Sequence, residues 1–116
     1  MNIDEQTEEI IQELQILEQN LQGLMMQKQA LQLELNETIN ALEEIKKTND
    51  EVYKVIGTVM LKADKQTILK ELEEKKKILE LRVNAIEKQE KLIESKAEEL
   101  KEETKKALNA KEKSKS

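Results

Sequence analysis

Apolar residues recur along the first part of the chain in alternating steps of four and three. Ile3, Thr7, Ile10, Leu14, Leu17, Leu21, Leu24, Lys28, Leu31, Leu35, Thr38, Leu42 and Ile45 keep this rhythm. It is the a/d seam of a coiled coil, held for about six heptads. A second seam runs through Leu69, Leu72, Lys76, Leu79, Val83, Ile86, Glu90, Ile93, Ala97, Leu100, Thr104 and Ala107. Neither phase slips. Ile11, Met25, Ile39 and Ile78 lie beside the seams and widen the apolar stripe slightly. A helix of about 45 residues spans on the order of 65–70 Å.

Between the seams the period changes. Thr48-Asn49-Asp50 are poor helix residues and good turn formers, so the first helix ends there. The following Val52-Tyr53-Lys54-Val55-Ile56-Gly57-Thr58-Val59-Met60-Leu61-Lys62 is β-branched and apolar, broken by one glycine. Gly57-Thr58 suits a two-residue turn with glycine first, flanked by two short strands. Asp64 is placed to N-cap a second helix. The pattern predicts one domain over 1–116: a helix over about 4–48, a β-hairpin over about 51–63, a helix over about 65–110 and a flexible tail over 111–116.

Two helices with a short connection fold back on each other, so the expected fold is mainly α, a long antiparallel two-helix coiled coil with one β-hairpin at its bend. Charge at the ends agrees. Asp4, Glu5, Glu8 and Glu9 open the first helix, and Lys105, Lys106, Lys111 and Lys113 close the second. Each set complements its own helix dipole, and antiparallel packing brings the two sets together. The competing arrangement, a parallel coiled-coil dimer, has no use for a hairpin signal in its middle. That hairpin is apolar on both faces, with Val52 and Ile56 pointing one way, Tyr53 and Val55 the other, and Val59 and Leu61 opposing Met60. An isolated two-stranded hairpin is marginal in water, and open edges pair or aggregate. Hairpins from several chains are therefore expected to pair into a closed β-barrel.

Lys28, Lys76 and Glu90 are charged residues within the seams. If Ile45 faces Leu69, antiparallel partners have residue numbers summing to roughly 114. Lys28 then falls about one turn from Glu90 and can pair with it, while Lys76 can snorkel to water. Such residues fix register at some cost in stability. The sharper alternative is a site for a charged ligand. Gly23 costs helix stability, with no functional reason visible in the sequence.

Composition narrows the function. Of 116 residues 39% are charged and 1% aromatic, so a compact aromatic core is out of reach, and proline is absent. The net charge of −5 comes from interspersed acids and lysines, which leaves no basic face for nucleic acid. No apolar run approaches a membrane span, and Met1-Asn2-Ile3-Asp4-Glu5 is unlike a signal peptide. A cytoplasmic chain is expected, and its Lys, Glu and Ile content is compatible with a thermophilic source. Histidine and cysteine are both absent, removing the usual general bases, thiol nucleophiles and soft metal ligands. The paired carboxylates Glu8-Glu9, Glu43-Glu44, Glu73-Glu74 and Glu98-Glu99 read as solvated helix faces. No glycine-rich phosphate loop is present. No catalytic residue, metal site or cofactor is expected, and the function is binding.

Several stretches resemble one family. Gln27-Lys28-Gln29, Asn36-Glu37-Thr38, Ala41-Leu42-Glu43-Glu44, Val52-Tyr53-Lys54 with Gly57, then Leu79, Leu81, Arg82 and Gln89-Glu90 are similar to the β-type subunit of prefoldin. The likeness covers about Ile10 to Leu108, and its most specific part is the order helix, Val-Tyr-Lys-x-x-Gly hairpin, helix. The resemblance implies a hexamer of two α-type and four β-type subunits joined by a double β-barrel of hairpins. It also implies a co-chaperone that holds non-native proteins between coiled-coil tips and hands them to a group II chaperonin without ATP. On that basis the oligomerisation residues are Val52, Tyr53, Val55, Ile56, Gly57, Val59, Met60 and Leu61. The client-binding residues at the tips are Ile3, Ile10, Ile11, Leu14, Leu17, Leu100, Ala107 and Leu108. Leu14, Leu17 and Leu100 could instead simply close the coiled coil. The competing function is a structural spacer or filament-forming coiled coil that handles no unfolded protein.

Overall fold

The computed structural model describes residues 5–115. Its elements run α1 Glu5–Lys47, β1 Val52–Ile56, β2 Val59–Ala63 and α2 Lys65–Lys115. The second helix thus runs five residues past its expected end at 110, through most of the segment expected as a flexible tail. Nothing in Ala107-Leu108-Asn109-Ala110-Lys111-Glu112-Lys113 breaks a helix.

The heptad rhythm decides which side of each helix is covered. Every described a and d position of both seams is buried or half-buried. The chain divides into two compact units. In the unit Lys28–Ala85, Leu35, Thr38 and Leu42 of α1 are buried, as are Leu79 and Val83 of α2. Ion pairs Lys46–Glu73 at 3.5 Å and Lys75–Glu34 at 3.2 Å fix the helices of this unit as antiparallel. All four side chains are about half exposed, so each pair contributes about 0–1 kcal/mol and specifies register more than stability. In the other unit, built from α1 up to Gln27 and α2 from Ile86, the buried set is Thr7, Ile86, Glu90, Ala97 and Leu100. Thr38 and Thr104 occupy seam positions without an orphaned hydroxyl, because each donates to the carbonyl one turn back, Glu34 O at 2.8 Å and Leu100 O at 2.9 Å.

The bend is held by caps on both helices. Thr48 N–H donates to Glu44 O at 3.1 Å, and Asp50 N–H turns back onto the Thr48 hydroxyl at 3.2 Å. The carboxylate of Asp64 accepts from Thr67 N–H at 3.2 Å and from the Thr67 hydroxyl at 2.9 Å, N-capping α2 as expected. Lys65 Nζ reaches across to Thr48 O at 2.9 Å. One ammonium thereby satisfies an orphan carbonyl at the end of α1 from the first turn of α2.

Candidate functional site at the hairpin and the helix ends

The strands pair antiparallel in the register Val52↔Ala63, Tyr53↔Lys62, Lys54↔Leu61, Val55↔Met60 and Ile56↔Val59. Gly57-Thr58 is a two-residue loop, and Gly57 has φ +61° while no other described residue has a positive φ. One positive φ, at the first loop position, is the signature of a glycine-first turn of type II′. Alternation then places Val52, Lys54, Ile56, Val59, Leu61 and Ala63 on one face. Tyr53, Val55, Met60 and Lys62 share the other.

Both faces are open. Only Val52 and Ala63, at the base, are half-buried, while Val55 is 64% and Met60 66% exposed. The hydrogen-bonded pairs are those at Ile56, Lys54 and Val52, counting back from the loop. The backbone groups of Tyr53 and Val55 on β1, and of Met60 and Lys62 on β2, therefore point outward along the two edges. A two-stranded sheet with two apolar faces and two unpaired edges can add strands on either side.

The charged side chains here are turned to the base of the hairpin. Lys54 pairs with Glu71 of α2 at 3.3 Å, and Lys62 with Glu51 at 2.9 Å. The Tyr53 hydroxyl donates to the other Glu51 oxygen at 2.7 Å. These two bonds, the tyrosine's first and the lysine's second, hold the Glu51 carboxyl below its ordinary value. The same bond raises the Tyr53 phenol, because ionisation would set it against a carboxylate. The oligomerisation residues named from the sequence are all on this one small sheet or its turn.

The helix ends are less uniform. Ile10, Ile11, Leu14, Leu17 and Ala107 are half-buried, Leu108 is 38% exposed, and Leu100 is only 5% exposed at its d position. Leu100 is covered as long as the seam is closed, whereas Ile11 and Leu108 stand beside it. Ile3 lies outside the described residues. Glu90 is buried and Lys28 half-buried.

The heptad count did not single out Ile16, Met26, Leu33, Leu81 and Leu92, all large, apolar and exposed away from the seams. A signal for those on α1 was present in the sequence. From Leu14 to Leu33 the only charged residues are Glu18 and Lys28, the rest being apolar or amide apart from Gly23.

Among the described residues no helix is long and apolar enough to cross a membrane. Comparison with known proteins follows the same lines as the geometry. Residues 8–111 match the family described as Prefoldin subunit. The chain belongs to that family. It is 45% identical over 101 residues to the prefoldin subunit beta of Thermococcus onnurineus, covering 85% of this chain and 87% of the relative. Against the prefoldin subunit beta of Pyrococcus furiosus the identity is 43%, over 85% of this chain and 86% of that one. The crystal structure of the prefoldin beta subunit from Thermococcus strain KS-1 superposes with a TM-score of 0.88 at 40% identity, covering 92% of this chain and 96% of that one. Two coiled-coil helices joined by one β-hairpin are thus a prefoldin fold, and the chain is a chaperone subunit.

Proposed function

We propose that this prefoldin subunit is of the β type and works as an ATP-independent holdase in the cytoplasm. Its hairpin joins those of other subunits in a barrel, with two α-type and four β-type chains. The helix ends hold non-native proteins and pass them to a group II chaperonin. No catalytic step and no cofactor enter this reading.

The observation that supports it best is the hairpin with both faces exposed and both edges unpaired. Burying a Val, Ile, Leu or Met side chain contributes about 1.5–3 kcal/mol, so the exposed residues of each hairpin hold enough driving force for assembly. The distal helix segments offer residues beside the seam, such as Ile11 and Leu108, that suit weak contacts with many sequences.

Shortening the chain to residues 9–97 tests the reading. The hairpin is retained, so the assembly keeps its subunit number, while suppression of aggregation of an unfolded protein falls with the loss of Leu100, Ala107 and Leu108. Suppression that survives the truncation undiminished rules out client binding at the removed ends. A structural spacer would show no suppression in either form.

A further inference from the structure

Gly23 has no backbone reason to be glycine. It lies inside α1, its φ is not positive, and it costs about 1 kcal/mol of helix stability relative to alanine. Nor does packing within the chain require it, since a Cβ built there meets nothing within 4 Å. What the missing side chain does is open a groove of about 470 Å³. Leu24 and Ile93 form its half-buried floor, and Leu92, 72% exposed, stands in one wall. The remaining lining residues are amides: Gln19, Asn20, Gln27 and Gln89.

This lining differs from that of a neighbouring groove. A second groove in the same unit, about 640 Å³, is lined by Glu18, Lys91, Glu94, Glu98 and Lys101 beside Leu21, Ser95 and Ala97, the charged flank usual for a coiled coil. Glu34 and Lys75, which in the other unit hold the heptad position of Asn20, Gln27 and Gln89, form an ion pair. At the Gly23 groove that position carries only neutral amides, in a chain that is 39% charged. Removing charge from a wall lowers the desolvation cost of docking an apolar group against it, and the buried centres of interfaces are depleted in charge for this reason.

We propose that the Gly23 groove seats a large apolar side chain of an extended, non-native polypeptide, with the surrounding amides bonding its main chain. Amide side chains both donate and accept, and an extended segment presents unpaired N–H and C=O groups that a folded partner has already satisfied. A second copy of this chain is a poor occupant. Docked about a two-fold axis it offers this same groove, and two concave surfaces do not fill each other. The inference rests on the holdase reading above and adds a grip point on the helix flank, away from the ends.

The test uses the full chain in its assembled form and a fluorescently labelled, reduced and alkylated lysozyme as a permanently unfolded probe. Gly23→Leu fills the groove while improving helix propensity, and Leu92→Gln makes its exposed wall polar, so neither is expected to unfold the subunit. Both should weaken probe binding roughly tenfold, as expected for losing one buried apolar contact, with unchanged mass in sedimentation. Binding by both variants within about twofold of the unaltered chain overturns the groove proposal alone. A changed mass overturns it in favour of contact between copies. Failure of the unaltered chain to bind the probe removes the holdase reading, and with it the occupant named here.

Discussion

Tyr53 is the only aromatic residue in the chain, and its hydroxyl is tied to the residue that also receives Lys62. The three groups make the base of the hairpin sensitive to pH at both extremes. Glu51 titrates below its ordinary 4.5, so its contribution is complete above that pH and fades as pH falls through the lowered value. Tyr53 titrates above its ordinary 10.0; its contribution is complete below that pH and is lost as pH rises through the raised value. With one tyrosine and no tryptophan, phenol ionisation can be followed directly by ultraviolet absorbance. Glu51→Gln should return the Tyr53 midpoint toward 10.0; a midpoint that does not move would show that the bond does not govern it.

Among the elements, α2 depends most visibly on a single residue for its start. Asp64 supplies both side-chain bonds to Thr67 in the first turn. Asp64→Ala should cost about 1 kcal/mol of stability, read as a lowered thermal midpoint by circular dichroism, and an unchanged midpoint would remove the cap from the account. Much at this scale was legible beforehand. The seams from Thr7 to Ile45 and from Leu69 to Ala107 could be counted because coiled-coil burial repeats every seven residues, and the covered side of each helix matches that count. The glycine-first turn was legible because only Gly57 among its neighbours tolerates a positive φ. Other features depend on neighbours distant in sequence. The bond from Lys65 to Thr48 O crosses the hairpin, and no local pattern announces it. The five further residues of α2 lay in a lysine-rich segment whose composition is equally at home in a tail. Leu100 and Leu108 read alike as apolar residues near an end, yet the first closes the seam and the second stands outside it.

For the whole molecule, the proposed assembly rests on the hairpin. Val55 points to one face and Val59 to the other, both more than half exposed in the single chain. Replacing both with lysine puts a new charge on each face wherever strands pack, while Glu51 and Glu71 already hold Lys62 and Lys54. The double variant should sediment as a monomer with its helical circular dichroism retained. A stable oligomer would place assembly elsewhere.

The tight loop also guards a register. Gly57-Thr58 holds Ile56 opposite Val59, and a slip of one residue in the pairing, with β1 held in place, would send every side chain of β2 to the opposite face. Met60 and Lys62 would cross to the side of Val52 and Ile56, Leu61 and Ala63 would leave it, and Lys62 would be carried away from Glu51. A slip of two would restore the alternation. In the proposed assembly the loop is therefore a lock on spelling: by holding the pairing it decides which side chains a neighbouring chain would meet.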